Sequence, residues 1–287
     1  MTMRRLALFF ALIGLIPSAA YATWSVIAVD MSTGRVVIAS ATCVNSNDQF
    51  LKGVQAVVVP GMGVAACQAN VDGTHANQML VFEELKKGTA PEKIIEMLSK
   101  DPQFQGRQFG ILDLTGRFAG HSGITNGYVS QDIQGQVPGT RIFYSIQGNI
   151  LRPGEVVPNA VKAFLSTSGA ITDRVMAAME AADAGGGDSR CTCPAPPAAG
   201  TPVVNPCEGR TSYIAYILMS ERTDAIGPNP PASGEFAHNN GKYSMYITVA
   251  QPGRGEGEIK PGENLNPVKT LRARYNVWRA AQPPTFR

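Results

Sequence analysis

Two consecutive hairpins with almost no polar alternation constrain this chain most. Residues Trp24 to Val29 are almost continuously apolar, the chain turns at Ser32-Thr33-Gly34, and β-branched residues and alanines resume from Val36 to Ala41. A second pair of strands is expected from Gln55 to Val59 and Val64 to Ala69, about the turn Pro60-Gly61. A strand with one face in water alternates apolar and polar residues, whereas a strand covered on both faces reads as a continuous apolar run. These hairpins therefore call for sheets buried on both sides. The chain has the apolar mass for that: 287 residues, 44% of them hydrophobic and only 16% charged, which excludes a disordered chain.

The pattern then changes to pairs of helices. Amphipathic stretches run from Thr74 to Lys87, ended by Gly88, and from Pro91 to Lys100, where Pro91 suits a first helical turn. Strands follow near Arg107 to Leu114, Arg117 to Ser122 and Phe143 to Leu151, then helices near Glu155 to Ser166 and Thr172 to Ala184. Strands resume at Tyr213 to Met219 and Tyr243 to Val249, and Pro267 to Ala281 reads as a closing helix. Blocks of strands alternating with pairs of helices favour an α+β fold with largely antiparallel sheets and helices on their outer faces. Residues 23–287 are expected to form a single domain, with a Cys/Pro-rich loop insertion at about 189–210.

Residues Met1 to Ala22 read as a secretory signal: Arg4 and Arg5, the apolar run Leu6 to Ile16, and the small-x-small cleavage site Ala20-Tyr21-Ala22. The apolar run is shorter than the ~20 residues needed to span a bilayer, so the expectation is an exported protein, periplasmic or secreted, with no membrane association after cleavage. Without Arg4 and Arg5, the 25 basic residues fall to 23 against 22 acidic ones. No Lys/Arg run exceeds two residues. Nucleic acid, which needs a clustered basic surface, is not an expected partner.

Cleavage after Ala22 would leave Thr23 first, with a hydroxyl and a free α-amine on one residue. A threonine hydroxyl alone is a poor nucleophile, but an α-amine titrating at about 7.7–8.0 can take its proton directly or through a water. Five cysteines in an oxidising compartment suggest disulfides. Cys207 is expected to bond Cys191 or Cys193 and close the Pro-rich loop, while Cys43 and Cys67, at strand ends, either bridge or pack as small apolar residues. Cys-x-Cys spacing and the scattered His75, His121 and His238 give no metal motif, so neither a metal nor another cofactor is expected.

Several runs then match one family in order: Thr23-Trp24-Ser25-Val26-Ile27-Ala28-Val29-Asp30, Cys67-Gln68-Ala69, Arg107-Gln108, His121-Ser122-Gly123, Gln147-Gly148-Asn149-Ile150-Leu151 and Gly186-Gly187-Asp188-Ser189-Arg190. With these the chain resembles DUF1028, a family of uncharacterised bacterial proteins grouped with the N-terminal nucleophile (Ntn) hydrolases. It departs from the family pattern where Cys191 to Arg210 intervene before the next strand, and at Cys67, where Thr is common. The resemblance implies a four-layer αββα sandwich with Thr23 at the end of a central strand, facing the cleft between two sheets.

The expected activity is amide hydrolysis through Thr23. Asn149, in the Gln-Gly-Asn run, offers an oxyanion donor, and Asp188 with Arg190, just past a triple glycine, an ion pair near the α-amine. Ser25, on the face of Thr23 by strand alternation, Gln68 and Arg107 are expected to contact substrate, Arg107 as a fork for a carboxylate. The substrate would be a small-molecule or peptide amide; a homo-oligomer is compatible with the sequence. The competing expectation is a non-catalytic exported binding protein on the same fold, with recognition carried by its long loops.

Overall fold

Residues 23–191, 210–227, 236–251 and 259–286 are described by a computed structural model. The leader, Cys193, Cys207 and nearly all of the Pro-rich insertion lie outside the described residues.

Asp30 sets the first turn. Its carboxylate accepts from Ser32 N at 2.8 Å and Thr33 Oγ1 at 2.9 Å, its carbonyl from Gly34 N at 2.7 Å, and Gly34 takes φ 78°, a left-handed conformation that glycine adopts without strain. The hairpin so fixed is β1 (Thr23–Asp30) and β2 (Arg35–Thr42). Next come α1 (Phe50–Gln55), β3 (Ala56–Val59), β4 (Gly63–Ala69), α2 (Ala76–Lys86), α3 (Pro91–Leu98), β5 (Arg107–Asp113) and β6 (Phe118–Ser122). The remainder is β7 (Gln131–Gln136), β8 (Ile142–Asn149), α4 (Val156–Ser166), α5 (Ile171–Ala184), β9 (Ile214–Ser220), β10 (Met245–Ala250) and α6 (Pro267–Ala280).

The strands form two antiparallel sheets, one of six in the order β10-β9-β2-β1-β8-β7 and one of four in the order β3-β4-β5-β6. Alternation along β1 sends Trp24, Val26 and Ala28 into an apolar cluster with Val175, Met176 and Met179 of α5. Ile27 and Val29, on the opposite face, pack with Val58, Val64, Ala66 and Leu112 of the four-stranded sheet. The far side of that sheet, with Val57, Val59 and Ala65, packs on Val81, Phe82 and Leu85 of α2 and Ile94 of α3. Both hairpins are thus covered on both faces, which is why they carry no polar alternation.

Two elements depart from the expectation. The chain forms α1 where no helix was read, and Gln55 ends that helix rather than starting a strand. Six residues containing Gly53 carry too little periodicity to register. The other is β7, whose sequence Gln-Asp-Ile-Gln-Gly-Gln has none of the β-branched enrichment that marks a strand; it lies at the sheet's edge, paired only with β8.

Of the cysteine alternatives, Cys43 bridges and Cys67 packs, while Cys193 and Cys207 lie outside the described residues. Cys191 is bonded to Cys43, with Cα atoms 5.9 Å apart, and not to Cys207, whereas Cys67 is a buried free thiol that burial pushes far above its ordinary pKa. The 148-residue separation hides this pairing from sequence, because only the folded chain brings the end of β2 beside the segment after α5.

Candidate active site

Thr23 opens β1, which lies between β2 and β8, so its backbone faces Thr42 on one side and Asn149 on the other. Its side chain continues the face of Ile27 and Val29, where the seam between the sheets turns from apolar to polar. Thr23 is 3% exposed and Ser25 1%. Buried hydroxyl and amide groups are stable only when hydrogen-bonded, and here they satisfy one another.

Gln68 is the hub. Its Oε1 accepts from Ser25 Oγ at 2.7 Å and Gln55 Nε2 at 2.7 Å. Its Nε2 donates to the Thr23 carbonyl at 3.1 Å and to Gln108 Oε1 at 2.7 Å. A primary amide offers two donors and two acceptor positions, so all four are filled within the protein. Beyond it, Tyr216 donates to Gln55 Oε1 at 3.0 Å, and Gln108 Nε2 reaches Ser122 Oγ and the Gly148 carbonyl. The backbone of the first described residue is therefore tied across the seam to both β4 and β5.

The Thr23 hydroxyl lies 3.3 Å from Thr42 Oγ1, which also accepts from Arg190 Nη2 at 3.4 Å and Val44 N at 3.4 Å. Arg190 is paired with Asp188 at 2.7 Å; Asp188 is fully buried and accepts from Cys43 N at 2.8 Å. Burial raises the Asp188 carboxyl above its ordinary pKa, and the Arg190 guanidinium opposes that rise. The Cys43–Cys191 disulfide joins the residue after Thr42 to the residue after Arg190, strapping the ion pair to the end of β2.

Glycine places this segment. Gly186 and Gly187 take φ 102° and 51°, and a Cβ on Gly187 would lie 2.6 Å from the Trp24 ring. The chain can therefore turn tightly after α5 and run along the end of β8, where Arg152 N donates to the Gly187 carbonyl at 2.9 Å and Ser189 N to that of Ile150 at 3.1 Å.

Most of the expected site residues thus converge. Thr23, Ser25, Gln68, Asp188 and Arg190 form one connected set, and Asn149 stands in register with Thr23, its Nδ2 donating to the Asn126 carbonyl at 2.9 Å. Two residues expected to contact substrate are engaged within the protein. Gln68 has no hydrogen-bonding position left for a substrate. Arg107 is engaged with Asp101 at 2.9 Å and with the Asn70 carbonyl, so its fork is held by the protein. His121 stacks on Phe104 with ring centroids 3.7 Å apart, in β6. No three His, Cys, Asp or Glu side chains among the described residues gather in a way that could hold a metal.

Thr42 and Gln55 were not singled out as site residues from sequence, and Gln108 entered only through the matching run Arg107-Gln108. A signal for Thr42 existed, because the Asp30 turn fixes a register that places it opposite Thr23. The Arg107-Gln108 run did not show what Gln108 touches, since only the long-range pairing of β4 with β5 sets it against Gln68. Thr23 and Thr42 line a small cavity of ≈ 10 Å³ bordered by residues of α1 and β4, room for about one water. The arrangement offers a fixed hydroxyl at a strand end, a guanidinium one hydroxyl away, and a water-sized cavity beside them.

No curated protein matches the chain. The crystal structure of protein SPO2555 from Silicibacter pomeroyi, described as DUF1028, is similar with a TM-score of 0.60 and 18% identity, covering 92% of this chain and 88% of that one. At that identity the likeness speaks for the fold alone. The family of unknown function DUF1028 matches residues 23–214, so this chain belongs to that family.

Proposed function

We propose that this chain is an exported N-terminal nucleophile amidohydrolase with a four-layer αββα fold, exposed at Thr23 by removal of the leader. The three apolar clusters, helix to sheet, sheet to sheet and sheet to helix, support the layered fold. The Cys43–Cys191 bond is compatible with an oxidising compartment, and none of the described helices is long and apolar enough to cross a membrane.

One observation carries the reading: Thr23 heads a central strand with its carbonyl held by Gln68 and its hydroxyl beside Thr42 and a water-sized cavity. The family match beginning at this same residue adds to it. In the proposed reaction the Thr23 hydroxyl attacks an amide carbonyl while the freed α-amine takes its proton. The amine returns that proton to the leaving nitrogen, and a water then hydrolyses the acyl-threonine ester. Asn149, in register beside Thr23, is the proposed side-chain donor to the oxyanion. The Asp188–Arg190 pair acts through Thr42 as a positioning group.

N-terminal sequencing of the exported protein, followed by mass spectrometry after treatment with an electrophilic β-lactone, tests this. A free Thr23 start and an adduct on Thr23, absent in Thr23→Ala, are expected. A different or blocked start, or a wild-type protein without adduct, refutes the mechanism.

A further inference from the structure

We infer that a second cleft, lined by α1, by the residue before α2 and by the segment ahead of β10, binds one pyranose ring of a neutral saccharide. The assignment does not rest on Thr23 acting as a nucleophile. The cleft encloses ≈ 300 Å³, at the lower end of the range for small-molecule sites. Its walls are fixed before any ligand arrives. Asn239 is 5% exposed and donates through Nδ2 to the Gly53 carbonyl at 2.8 Å, and Gln78 Nε2 donates to the Val54 carbonyl at 2.7 Å, so α1 is held as one wall. His75 and Phe236 make another, their rings stacked with centroids 3.8 Å apart. His75 takes φ 60°, a left-handed conformation unfavourable for a residue with a Cβ, and such positions gather where ligands are clamped.

The lining chemistry selects the ligand. Four carboxamides, Asn47, Gln49, Asn239 and Asn240, share the cleft with the rings of Phe50 and Phe236. A carboxamide both donates and accepts, as a hydroxyl does, so a group of them suits a ligand with several hydroxyls better than an ion. No carboxylate is among the lining residues, so an ammonium would meet no counter-charge. Burial lowers the His75 pKa below its ordinary 6.5, against the opposing pull of Asp72, which keeps the imidazole neutral at pH 7. Lys52, whose ammonium lies 4.9 Å from the Tyr246 ring centroid, is then the one formal charge in the lining, beside four neutral amides. A pyranose matches this set: its C–H face packs on an aromatic ring, and its edge carries hydroxyls all the way round. A flat heterocycle would fit the rings equally well but brings too few polar edge atoms for the amides.

The test is calorimetric titration of the processed protein at pH 7 with methyl β-glucopyranoside, methyl β-galactopyranoside and N-acetylglucosamine, and with sorbitol and adenine as contrasts. At least one pyranose is expected to bind with a dissociation constant of about 1 mM, and sorbitol, which has the hydroxyls but no ring face, about tenfold more weakly. Phe236→Leu keeps the apolar bulk and removes the flat ring, so it is expected to weaken pyranose binding about tenfold. Gln49→Ala, at an exposed position, is expected to weaken it about threefold and decides the matter should Phe236→Leu not fold. The chain has three histidines, so side-chain NMR localises the ligand: the His75 signal is expected to move on saturation while that of His121, stacked on Phe104, stays in place. No pyranose binding below about 50 mM, sorbitol or adenine bound as tightly as the best pyranose, a His75 signal that stays fixed, or an affinity unmoved by both variants overturns the assignment. Lactone labelling of Thr23 is read separately, so failure here leaves the nucleophile in place.

Discussion

Replacing Gln68 with methionine keeps the side chain's length and most of its volume while deleting every polar atom, which isolates the hydrogen bonds from the packing. Four groups then lose a partner in a buried seam: Ser25 Oγ, Gln55 Nε2, the Thr23 carbonyl and Gln108 Oε1. A buried polar group left without a partner is destabilising by roughly 1–3 kcal/mol. Taking the low end, because neighbouring hydroxyls can rotate and a water can enter, four such groups give a loss of about 4 kcal/mol, large for one substitution. Urea unfolding followed by tryptophan fluorescence at pH 7 measures it, since Trp24 lies next to Thr23 on β1. Gln68→Glu serves as a contrast. It places a carboxylate where two donors stood, so its deficit is greatest when ionised and shrinks as falling pH protonates it. A Gln68→Met protein within about 1 kcal/mol of the wild type would show that the network does not hold Thr23, and the argument from filled positions would fail with it.

Three further outcomes are expected. Cys43→Ala with Cys191→Ala opens a 148-residue closure, for which the chain-entropy relation gives about 5 kcal/mol and measured disulfides typically 2–4 kcal/mol; a urea-derived loss below about 1 kcal/mol would contradict it. Thr42→Val keeps the shape but removes the hydroxyl between Thr23 and Arg190, so lactone labelling of Thr23 should slow about tenfold and recover in Thr42→Ser, and recovery absent in the serine variant would argue for a packing role instead. His238 is buried with Nδ1 2.9 Å from the Ala56 carbonyl, and burial lowers its pKa from 6.5 to about 4. Its unfolded form binds a proton between those values and its folded form does not, so stability is lost as pH falls through this window. The loss at pH 4 is about 3 kcal/mol, and a urea midpoint that stays flat from pH 7 to pH 4 would refute it.

Much of the fold was legible because burial on both faces leaves a plain mark. The runs at Trp24–Val29 and Val36–Ala41 carried the hairpin, its turn chemistry and, through the turn, its register. Sequence reading failed where an element owes its existence to its neighbours. β7 is a strand because β8 offers an edge, and α1 is a helix because Gln78, Asn239 and the pocket wall hold it; neither has the apolar period that burial writes into a chain. The site was half visible for the same reason. Thr23, Asn149, Asp188 and Arg190 stand out as residue types able to do chemistry, and the structure brings them to one end of the six-stranded sheet. What each touches was not visible: Gln68 and Arg107, both polar and both expected to meet a ligand, turn out to be engaged with the protein's own groups.

The strand order has a consequence for when, during folding, this site comes into being. β1 lies between β2, its neighbour in sequence, and β8, whose residues begin at Ile142, while the outer edge of β2 waits for β9, beginning at Ile214. Closing such long loops carries an entropic penalty that only later contacts offset, so sheets of this kind are slow to form. A chain grown only as far as β6 has the first hairpin and the four-stranded sheet but lacks Asn149, Asp188 and Arg190, and the strand carrying Thr23 still has one edge unpaired. The site has no local precursor that matures gradually, and a chain that stops short of Arg190 cannot display it.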